Sequence, residues 1–319
     1  MSAQDAAAEL AALKGALAAG RKGELAAALA RLERDPDGAG VLALLEAAWR
    51  APVAEVIGLT GPPGVGKSTL TGALIAALRR VGRTVAVIAV DPSSRRSGGA
   101  LLGDRVRLGS DPEDGGLFVR SMAARDRLGG LAGLTVAAMV LMRALYDVVL
   151  LETVGVGQSE TDVASAADTV VFCVQPGSGD SLQFMKAGIV EIPHIVVVTK
   201  ADLGLAAERA RGDVAGALGL AEDSGGWRVP VLALSAQRRE GVTALVEALA
   251  ERARFLAGEG RLARLRHAQA EDWLADAVRE RFGREGLKRA GRLTVSPGES
   301  PFGRLAQVMG RLALPVAGP

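Results

Sequence analysis

Hydrophobic residues follow three successive patterns along the chain. Up to about residue 50 they recur at helical spacing, as in Leu10, Leu13 and Leu17. From Glu55 onward, short and nearly continuous apolar runs alternate with turns and helical patterns. These runs are Val56–Leu59, Val85–Val90, Val148–Leu151, Val170–Val174, Ile195–Val198 and Val231–Leu234. Beyond about residue 255 the helical spacing returns.

The alternation of apolar runs with helical segments predicts the fold class. Runs rich in β-branched residues that alternate with helices are typical of a parallel sheet covered on both faces. We therefore predict an α/β domain at residues 51–255, with a mostly parallel central sheet flanked by helices. An N-terminal helical segment at 1–50 and a C-terminal helical extension at 256–319 complete the predicted organisation.

Composition excludes several classes of protein. A single Cys and two His in 319 residues exclude a disulfide framework and a thiolate metal site. Aromatic residues make up 3% and the net charge is +2, which argues against a nucleic-acid interface. The longest apolar stretch, around 131–145, is too short to span a membrane, and the first ten residues lack a basic signal region. We expect a cytoplasmic protein that binds neither nucleic acid nor membrane.

A glycine-rich loop lies between the first predicted strand and a helical pattern at Leu70 to Leu78. It matches GxxxxGK[ST], the phosphate-binding loop (P-loop) of NTPases, in the strand–loop–helix context that this motif requires. Its glycines let backbone N–H groups converge on phosphate oxygens, beside the positive end of the helix dipole. Lys67 is expected to bridge the terminal phosphates and Ser68 to bind Mg²⁺. The predicted phosphate-binding residues are Gly61, Pro62, Pro63, Gly64, Val65, Gly66, Lys67, Ser68 and Thr69.

A second motif predicts which base is bound. The strand at Ile195–Val198 is followed by TKAD, a variant of the guanine motif NKxD. Its Asp carboxylate can accept hydrogen bonds from guanine N1 and N2, which adenine cannot offer. In the loop after the next strand, an Ala backbone N–H commonly meets guanine O6; a solvated Lys–Asp pair is the alternative for the TKAD motif taken alone. The predicted base-binding residues are Thr199, Lys200, Asp202, Ser235, Ala236 and Gln237.

Residue usage bears on both motifs. The chain has no Asn, and six of its 38 basic residues are Lys, which leaves 32 Arg. This usage indicates a coding bias, and three of the six lysines are Lys67, Lys186 and Lys200. Thr199 stands where the guanine motif has Asn. That Asn ties the loop of this motif, here called the base loop (Thr199 to Asp202), to the phosphate loop. The bias therefore predicts weak anchoring of the base loop.

Longer sequence strings resemble the MeaB/ArgK family of GTPases, metallochaperone-like proteins of the SIMIBI class of P-loop NTPases. The resemblance extends from about Leu25 to the end of the chain, and Thr199, Asp126-Arg127 and Arg95-Arg96-Ser97 depart from the family pattern. The strings that carry it are Asp91-Pro92-Ser93-Ser94, Gly98 to Arg105 (GGALLGDR), Arg120-Ser121-Met122, Glu152 to Glu160 (ETVGVGQSE) and Ser300-Pro301-Phe302.

Four oxygen-bearing side chains are candidate Mg²⁺ ligands, because Mg²⁺ prefers hard oxygen donors. They are Ser68, Asp91, Asp104 and Glu152. The resemblance implies that Asp104 is a switch-loop ligand and that Glu152, in an ExxG sequence, acts on the metal directly or through water. It also implies that the Gly155 amide senses the γ-phosphate. A helix N-cap or turn role is the alternative for Asp91 and Asp104.

The predicted catalytic residues are Lys67, Glu152, Lys186 and Gln158. The resemblance places Lys186 near the transition-state phosphates, where a late-arriving cation stabilises developing charge as an arginine finger does. Gln158 is close enough in sequence to orient the attacking water. A solvated helix lysine is the alternative for Lys186.

The resemblance implies a slow GTPase that uses GTP and Mg²⁺ and gates adenosylcobalamin delivery to a cobalamin-dependent acyl-CoA mutase such as methylmalonyl-CoA mutase. The resemblance implies two partners, that mutase and its adenosyltransferase. It also implies a homodimer, for which the amphipathic C-terminal helices around Leu262 to Phe282 could form the contact. The same pattern also fits packing of these helices onto the GTPase domain. The alternatives are an ATP-dependent kinase or ATPase linked to amino-acid transport, nickel insertion or signal-recognition targeting by a SIMIBI relative, and a non-catalytic module. The TKAD motif with Ser235-Ala236 argues against the ATP-dependent kinase. The scarcity of His and Cys argues against nickel insertion, and the intact Lys67-Ser68 pair argues against a non-catalytic module.

Overall fold

The computed structural model describes residues 2–92, 113–124, 133–153, 163–177, 192–219, 226–296 and 298–313. Its contacts divide the chain into two compact units. The helical unit comprises Met1–Val53, Gly133–Leu145 and Leu262–Pro319, and the sheet unit comprises Ala54–Ala132 and Tyr146–Arg261.

The described residues form seven strands and nine α-helices. The strands are β1 (Glu55–Thr60), β2 (Val85–Pro92), β3 (Leu117–Ala124), β4 (Val148–Glu152), β5 (Thr169–Val174), β6 (Ile195–Val198) and β7 (Val231–Ala233). The helices are α1 (Ala3–Ala18), α2 (Lys22–Arg34), α3 (Ala39–Arg50), α4 (Lys67–Arg80), α5 (Gly133–Arg143), α6 (Leu205–Leu218), α7 (Val242–Ala257), α8 (Arg261–Ala290) and α9 (Pro301–Ala313).

The strands of the sheet unit form one sheet in the order β3-β2-β4-β1-β5-β6-β7. Every pairing between neighbouring described strands is parallel. Because β1 lies at the centre of this order, the loop that follows it opens at the carboxyl edge of the sheet, where ligands of open α/β sheets bind. The predicted fold class, a P-loop α/β fold with a parallel central sheet flanked by helices, is confirmed.

Alternate residues of the strands face two different layers of helices. Ile57 and Leu150 on one face pack in a fully buried cluster with Leu74 of α4 and Leu245 of α7. Residues of the opposite face of β5 and β6, including Phe172, pack with α6. A sheet buried on both faces requires apolar residues at consecutive positions, which explains the continuous apolar runs in the sequence.

The edge strand β3 was missed in the sequence. Its residues pair with β2 from Leu117 opposite Val85 to Ala124 opposite Pro92. Arg120 and Ser121 interrupt its apolar run, as is tolerated in an edge strand with one neighbour. The helical pattern after the phosphate loop was placed too late, because α4 begins at Lys67 rather than at Leu70.

The helical unit has an apolar core of its own. Leu274 and Val278 of α8 are fully buried with Val308 of α9. The Phe302 ring meets Trp273 edge-on at a centroid distance of 4.8 Å and Trp49 at 6.5 Å. Aromatic pairs in this geometry are favourable beyond the area they bury. None of the helices in the described ranges is long and apolar enough to cross a bilayer.

The stability of the sheet unit is expected to fall as the pH falls from 6.5 to 5. His194 Nδ1 accepts a hydrogen bond from the Val170 N–H at 2.9 Å, and burial, followed by the charge of Arg252, lowers the pKa of His194 to about 3. The unfolded chain binds this proton near pH 6.5, so protonation favours the unfolded state below that pH and has no effect above it. The loss is about 2 kcal/mol at pH 5.

Urea unfolding at several pH values measures this loss. The slope of unfolding free energy against pH between 5 and 6.5 is expected to be shallower in His194→Gln than in the parent chain. His267→Gln, which changes the other histidine, is the matched control. Equal slopes for His194→Gln and the parent chain would contradict the assignment.

Candidate functional site

The phosphate loop connects β1 to α4 through backbone conformations that require glycine. Gly61 has a φ of +137°, and a Cβ at this position would lie 2.3 Å from the carbonyl oxygen of Cys173 in β5. Gly66 has a φ of +102° and caps α4. Side chains are strained in this region of φ, so the glycines of the motif follow from the path of the loop. Val65 is fully buried beneath the loop.

The Lys67 ammonium lies within the arc of the phosphate loop. Its Nζ donates to the carbonyl oxygens of Gly61 at 2.7 Å and Pro62 at 3.0 Å, and the residue is 7% exposed. Lys67 is also the first residue of α4, so its backbone N–H belongs to the positive end of the helix dipole. The loop therefore combines a buried cation with a helix N-terminus, an arrangement that suits an anionic phosphate.

The Glu152 carboxylate joins the end of β4 to the first turn of α4. Its Oε1 accepts from the Ser68 hydroxyl at 2.5 Å, and its Oε2 accepts from the Thr71 hydroxyl at 2.9 Å. Glu152 is 8% exposed. Ser68 and Glu152 were predicted together, whereas Thr71 was missed because it lies beyond the end of the GxxxxGK[ST] motif.

The Ser68–Glu152 pair has the chemistry of a magnesium site. Both side chains offer hard oxygen atoms beside the Lys67 ammonium, and Mg²⁺ in nucleotide sites takes few protein ligands and keeps waters and phosphate oxygens. Within the described ranges no group of three or more His, Cys, Asp or Glu could hold a metal ion, so an all-protein metal cage is absent from that part of the chain. The residues present therefore fit Mg²⁺ bound jointly with a nucleotide.

Thr199 ties the base loop to the phosphate loop despite replacing Asn. Its hydroxyl Oγ1 lies 2.7 Å from the carbonyl oxygen of Val65 in the phosphate loop and 3.0 Å from that of Val174 at the end of β5. The side chain is 4% exposed. A hydroxyl has one proton, so it donates fully to one of these carbonyls at a time. Thr199 therefore links the two loops through one donated hydrogen bond, at the position where the sequence predicts weak anchoring.

Lys200 extends from the base loop toward the phosphate loop. Its φ of +55° lies in the left-handed region that non-glycine residues rarely adopt, a strain that clusters at functional positions. Its Nζ donates to Gln175 Oε1 at 2.6 Å and to the Gly64 carbonyl at 3.3 Å. Gln175 was missed in the sequence, since nothing in its local pattern points to Lys200.

The loops after β6 and β7 meet at Asp202 and Ser235. A hydrogen bond from Ser235, with smaller effects of Arg238 and Lys200, lowers the pKa of the exposed Asp202 carboxyl. The Ala201 N–H donates to the Leu234 carbonyl at 3.0 Å, which joins the two loops through their backbones. The structure thus brings Asp202 and Ser235 together as the base-binding hypothesis requires.

The structure describes some of the other predicted site residues and leaves others out. Ala236 is half-buried and Gln237 is exposed, both in the turn after Ser235. Asp91 lies at the end of β2, and its side chain is outside the described residues. The predicted positions wholly outside the described residues are Asp104, Gly155, Gln158 and Lys186.

Comparisons with known proteins agree with this geometry. The model of a family described as methylmalonyl-CoA mutase-associated GTPase MeaB matches residues 27–289. A Pyrococcus horikoshii protein whose name calls it a GTPase is 45% identical over 223 residues, which cover 69% of this chain and 70% of the relative. The mouse methylmalonic aciduria type A homolog, a mitochondrial protein, is 39% identical over 233 residues, which cover 72% of this chain and 56% of the mouse protein.

A solved structure extends the likeness to nearly the whole chain. The crystal structure of an LAO/AO transport system kinase superposes with a TM-score of 0.67 at 28% sequence identity and covers 96% of this chain and 98% of its own. The family match spans well over half of the chain and includes the phosphate and base loops, and several of the relatives are named GTPases. The chain is a guanine-nucleotide-binding GTPase, and it belongs to the MeaB family.

Proposed function

We propose that this GTPase attends a cobalamin-dependent acyl-CoA mutase of the methylmalonyl-CoA mutase type and gates delivery of adenosylcobalamin to it. The observation that carries the proposal is the match of residues 27–289 to a family described by its association with that mutase. The nucleotide site supports it, because a phosphate loop tied to a base loop can couple the bound nucleotide to the shape of a partner-facing surface. The adenosyltransferase that makes the cofactor is a second proposed partner.

The proposed nucleotide contacts follow the loops described above. Lys67 and the backbone N–H groups of the phosphate loop, from Gly61 and from Gly64 to Thr69, bind the phosphates, and the Gly155 amide lies at the γ-phosphate. The base lies against Lys200, with Asp202 accepting from guanine N1 and N2 and the Ala236 N–H donating to O6. Thr199, Ser235 and Gln237 hold the loops that carry these groups. The short contacts of Thr199 and Lys200 with the phosphate loop support this assignment.

Mg²⁺ is proposed to be held by Ser68, Asp91 and Asp104 together with phosphate oxygens, and Glu152 acts on it directly or indirectly. Bound there, Mg²⁺ would supply positive charge to the phosphate oxygens. Glu152 orients Ser68, and Gln158 is proposed to orient the attacking water. Lys67 and Lys186 stabilise the negative charge that develops on the phosphate oxygens.

A pull-down with purified methylmalonyl-CoA mutase tests the partner assignment. The immobilised chain is incubated with mutase in three conditions: GDP, a non-hydrolysable GTP analogue, and no nucleotide. We expect mutase to be retained, in amounts that differ between the nucleotide states. Absence of mutase in all three conditions would rule out this partner and leave the GTPase activity in place.

Replacing Lys186 with Ala is expected to lower mutase-stimulated GTP hydrolysis by about a hundredfold, because a cation that stabilises charge in the transition state is lost. GTP and GDP affinities are expected to stay within about twofold of the parent values, since the residue acts after binding. Hydrolysis is measured by phosphate release with and without mutase. Lys288→Ala removes an exposed lysine of α8 and is the matched control. An unchanged stimulated rate in Lys186→Ala would refute the role.

We also propose a homodimer formed through the C-terminal extension at 256–319. Its support is that the apolar residues Leu262 and Leu265 stay partly exposed in the first turns of α8. Light scattering over a hundredfold range of protein concentration tests it. A monomer mass at every concentration would remove the proposal.

The solved relative named as an LAO/AO transport system kinase favours a second candidate, an ATP-dependent kinase linked to amino-acid transport. Competition between GTP and ATP for the site separates the two, because the Asp202 carboxylate has no matching donors on adenine. Equal affinities for both nucleotides would favour the kinase.

A further inference from the structure

Thr71 is a buried polar residue in the nucleotide site that no phosphate-loop motif includes. It lies one turn after Lys67 on α4 and is fully buried. Its Oγ1 is 2.9 Å from Glu152 Oε2 and 3.0 Å from the carbonyl oxygen of Lys67. A helical Thr commonly bonds the carbonyl four residues earlier, but here a carboxylate from another strand lies within reach of the same hydroxyl. A hydroxyl has one proton, so Thr71 donates to one of these oxygens at a time, and the carboxylate is the stronger acceptor.

The two hydroxyl groups of α4 hold both oxygens of the Glu152 carboxylate. Ser68 Oγ is 2.5 Å from Oε1 and Thr71 Oγ1 is 2.9 Å from Oε2. The Glu152 backbone is paired with Leu59 of β1 and Ala89 of β2, so the residue is fixed at its base as well. Hydrogen bonds to an ionised carboxylate are stronger than neutral ones, particularly where water is largely excluded. Turning this carboxylate away from α4 would break both bonds.

The direction of the Ser68 hydrogen bond determines what Ser68 can offer to a cation. A hydroxyl has one proton and two lone pairs. When its proton points to Glu152 Oε1, the lone pairs of Ser68 Oγ remain available as a metal ligand. Glu152 can therefore orient Ser68 without contacting the metal itself.

We propose that Thr71 is a positioning residue of the magnesium site, which holds the second oxygen of Glu152 so that this carboxylate acts on Mg²⁺ through Ser68 and not as a direct ligand. The inference rests on the proposed Mg²⁺–nucleotide site and adds a residue to it. It also assigns Glu152 an indirect role through Ser68, in place of the direct or water-mediated roles that the resemblance implies.

The test uses the full chain and measures Mg²⁺ affinity without relying on catalysis. Release of fluorescently labelled GDP is followed by stopped flow across a Mg²⁺ titration, and the midpoint of the titration gives the apparent Kd for Mg²⁺. Thr71→Val removes the hydroxyl at nearly constant volume and is expected to raise this Kd about tenfold, as lost support behind a metal ligand typically does. Thr71→Ser restores the hydroxyl and is expected to stay within about twofold of the parent Kd.

A double-mutant cycle shows whether Thr71 acts through Glu152. In a Glu152→Gln background, Thr71→Val is expected to change the Mg²⁺ Kd by less than about twofold, because its charged acceptor is already gone. An additional tenfold change in that background, or an unchanged Kd in Thr71→Val alone, would overturn the proposal. If Thr71→Val does not fold, Thr71→Ala takes its place with the same expected values.

The parent chain distinguishes failure of this proposal from failure of the magnesium site. If GDP release by the parent does not depend on Mg²⁺, the proposed magnesium site fails and Thr71 has no such role. If the parent depends on Mg²⁺ and Thr71→Val matches it, only the role of Thr71 fails. GDP affinity in excess EDTA is expected to be equal in the parent and both Thr71 variants, which a general loss of structure would not produce.

Discussion

Replacing Lys67 with Ala is expected to reduce the affinity for GTP and GDP by about thirtyfold or more. Lys67 is 7% exposed, and its ammonium sits between the carbonyl oxygens of Gly61 and Pro62 at the centre of the loop. Removing a buried cation leaves the phosphate charge without its counter-charge, a loss of about 2–5 kcal/mol for buried charge pairs. Arginine does not replace it, because a planar guanidinium is too wide for a space that fits a point charge.

Equilibrium titration with fluorescent GTP and GDP analogues measures this loss. Lys14→Ala, a substitution of an exposed lysine in α1, is the matched control and is expected to bind as the parent does. The thermal unfolding midpoint without nucleotide shows whether Lys67→Ala is folded. Retention of GTP affinity within tenfold in a folded Lys67→Ala protein would contradict the assignment of this loop.

Replacing Asp202 with Asn is expected to lower GTP affinity by about a hundredfold and to raise xanthosine triphosphate affinity by a similar factor. In the proposed contacts the Asp202 carboxylate accepts the N1 and N2 hydrogens of guanine, whereas an amide at this position would donate a hydrogen bond to the additional carbonyl of xanthine. A site built around a specific hydrogen bond discriminates strongly against a base that cannot complete it. The neighbouring Ser235 hydroxyl lowers the pKa of the Asp202 carboxyl, which favours the ionised, hydrogen-accepting form.

Competition between GTP, XTP and ATP for the labelled-GDP site gives the three affinities. Asp213→Asn, on the exposed face of α6, makes the same chemical change away from the base loop and serves as the control. The reversal of preference between GTP and XTP is the decisive result, because a general loss of binding lowers both. Unchanged preference in Asp202→Asn would place the base elsewhere.

The sheet could be predicted from the sequence where strands are buried on both faces. Five of the six apolar runs correspond to the inner strands β1, β2, β4, β5 and β6, since only apolar residues satisfy both layers of helices. The sixth run corresponds to β7, an edge strand that is partly buried and has no charged residue. The strand β3 could not be predicted, because an edge strand tolerates Arg120 and Ser121 within its run. The start of α4 was placed late because Lys67, Ser68 and Thr69 break the apolar pattern although they are helical.

The candidate site shows a similar division between local and long-range information. Lys67 and Ser68 follow from a contiguous motif, and Asp202 from a motif at the end of a strand. Thr71 and Gln175 reach their partners across 81 and 25 residues of chain, so no local pattern shows them. Whether Thr199 could stand in for Asn depended on a distance, 2.7 Å to the Val65 carbonyl, that only the fold determines.

The one cysteine of the chain gives it an internal reporter of its nucleotide site. Cys173 is fully buried in β5, its carbonyl oxygen faces Gly61, and burial raises the pKa of its thiol to about 12. Since the thiolate is the reactive form, alkylation of native protein requires opening of the sheet beneath the phosphate loop. The rate of thiol labelling therefore measures how often the sheet around Cys173 opens. A bound nucleotide that stabilises the phosphate loop would lower this labelling rate, so the native cysteine can report binding without an engineered label.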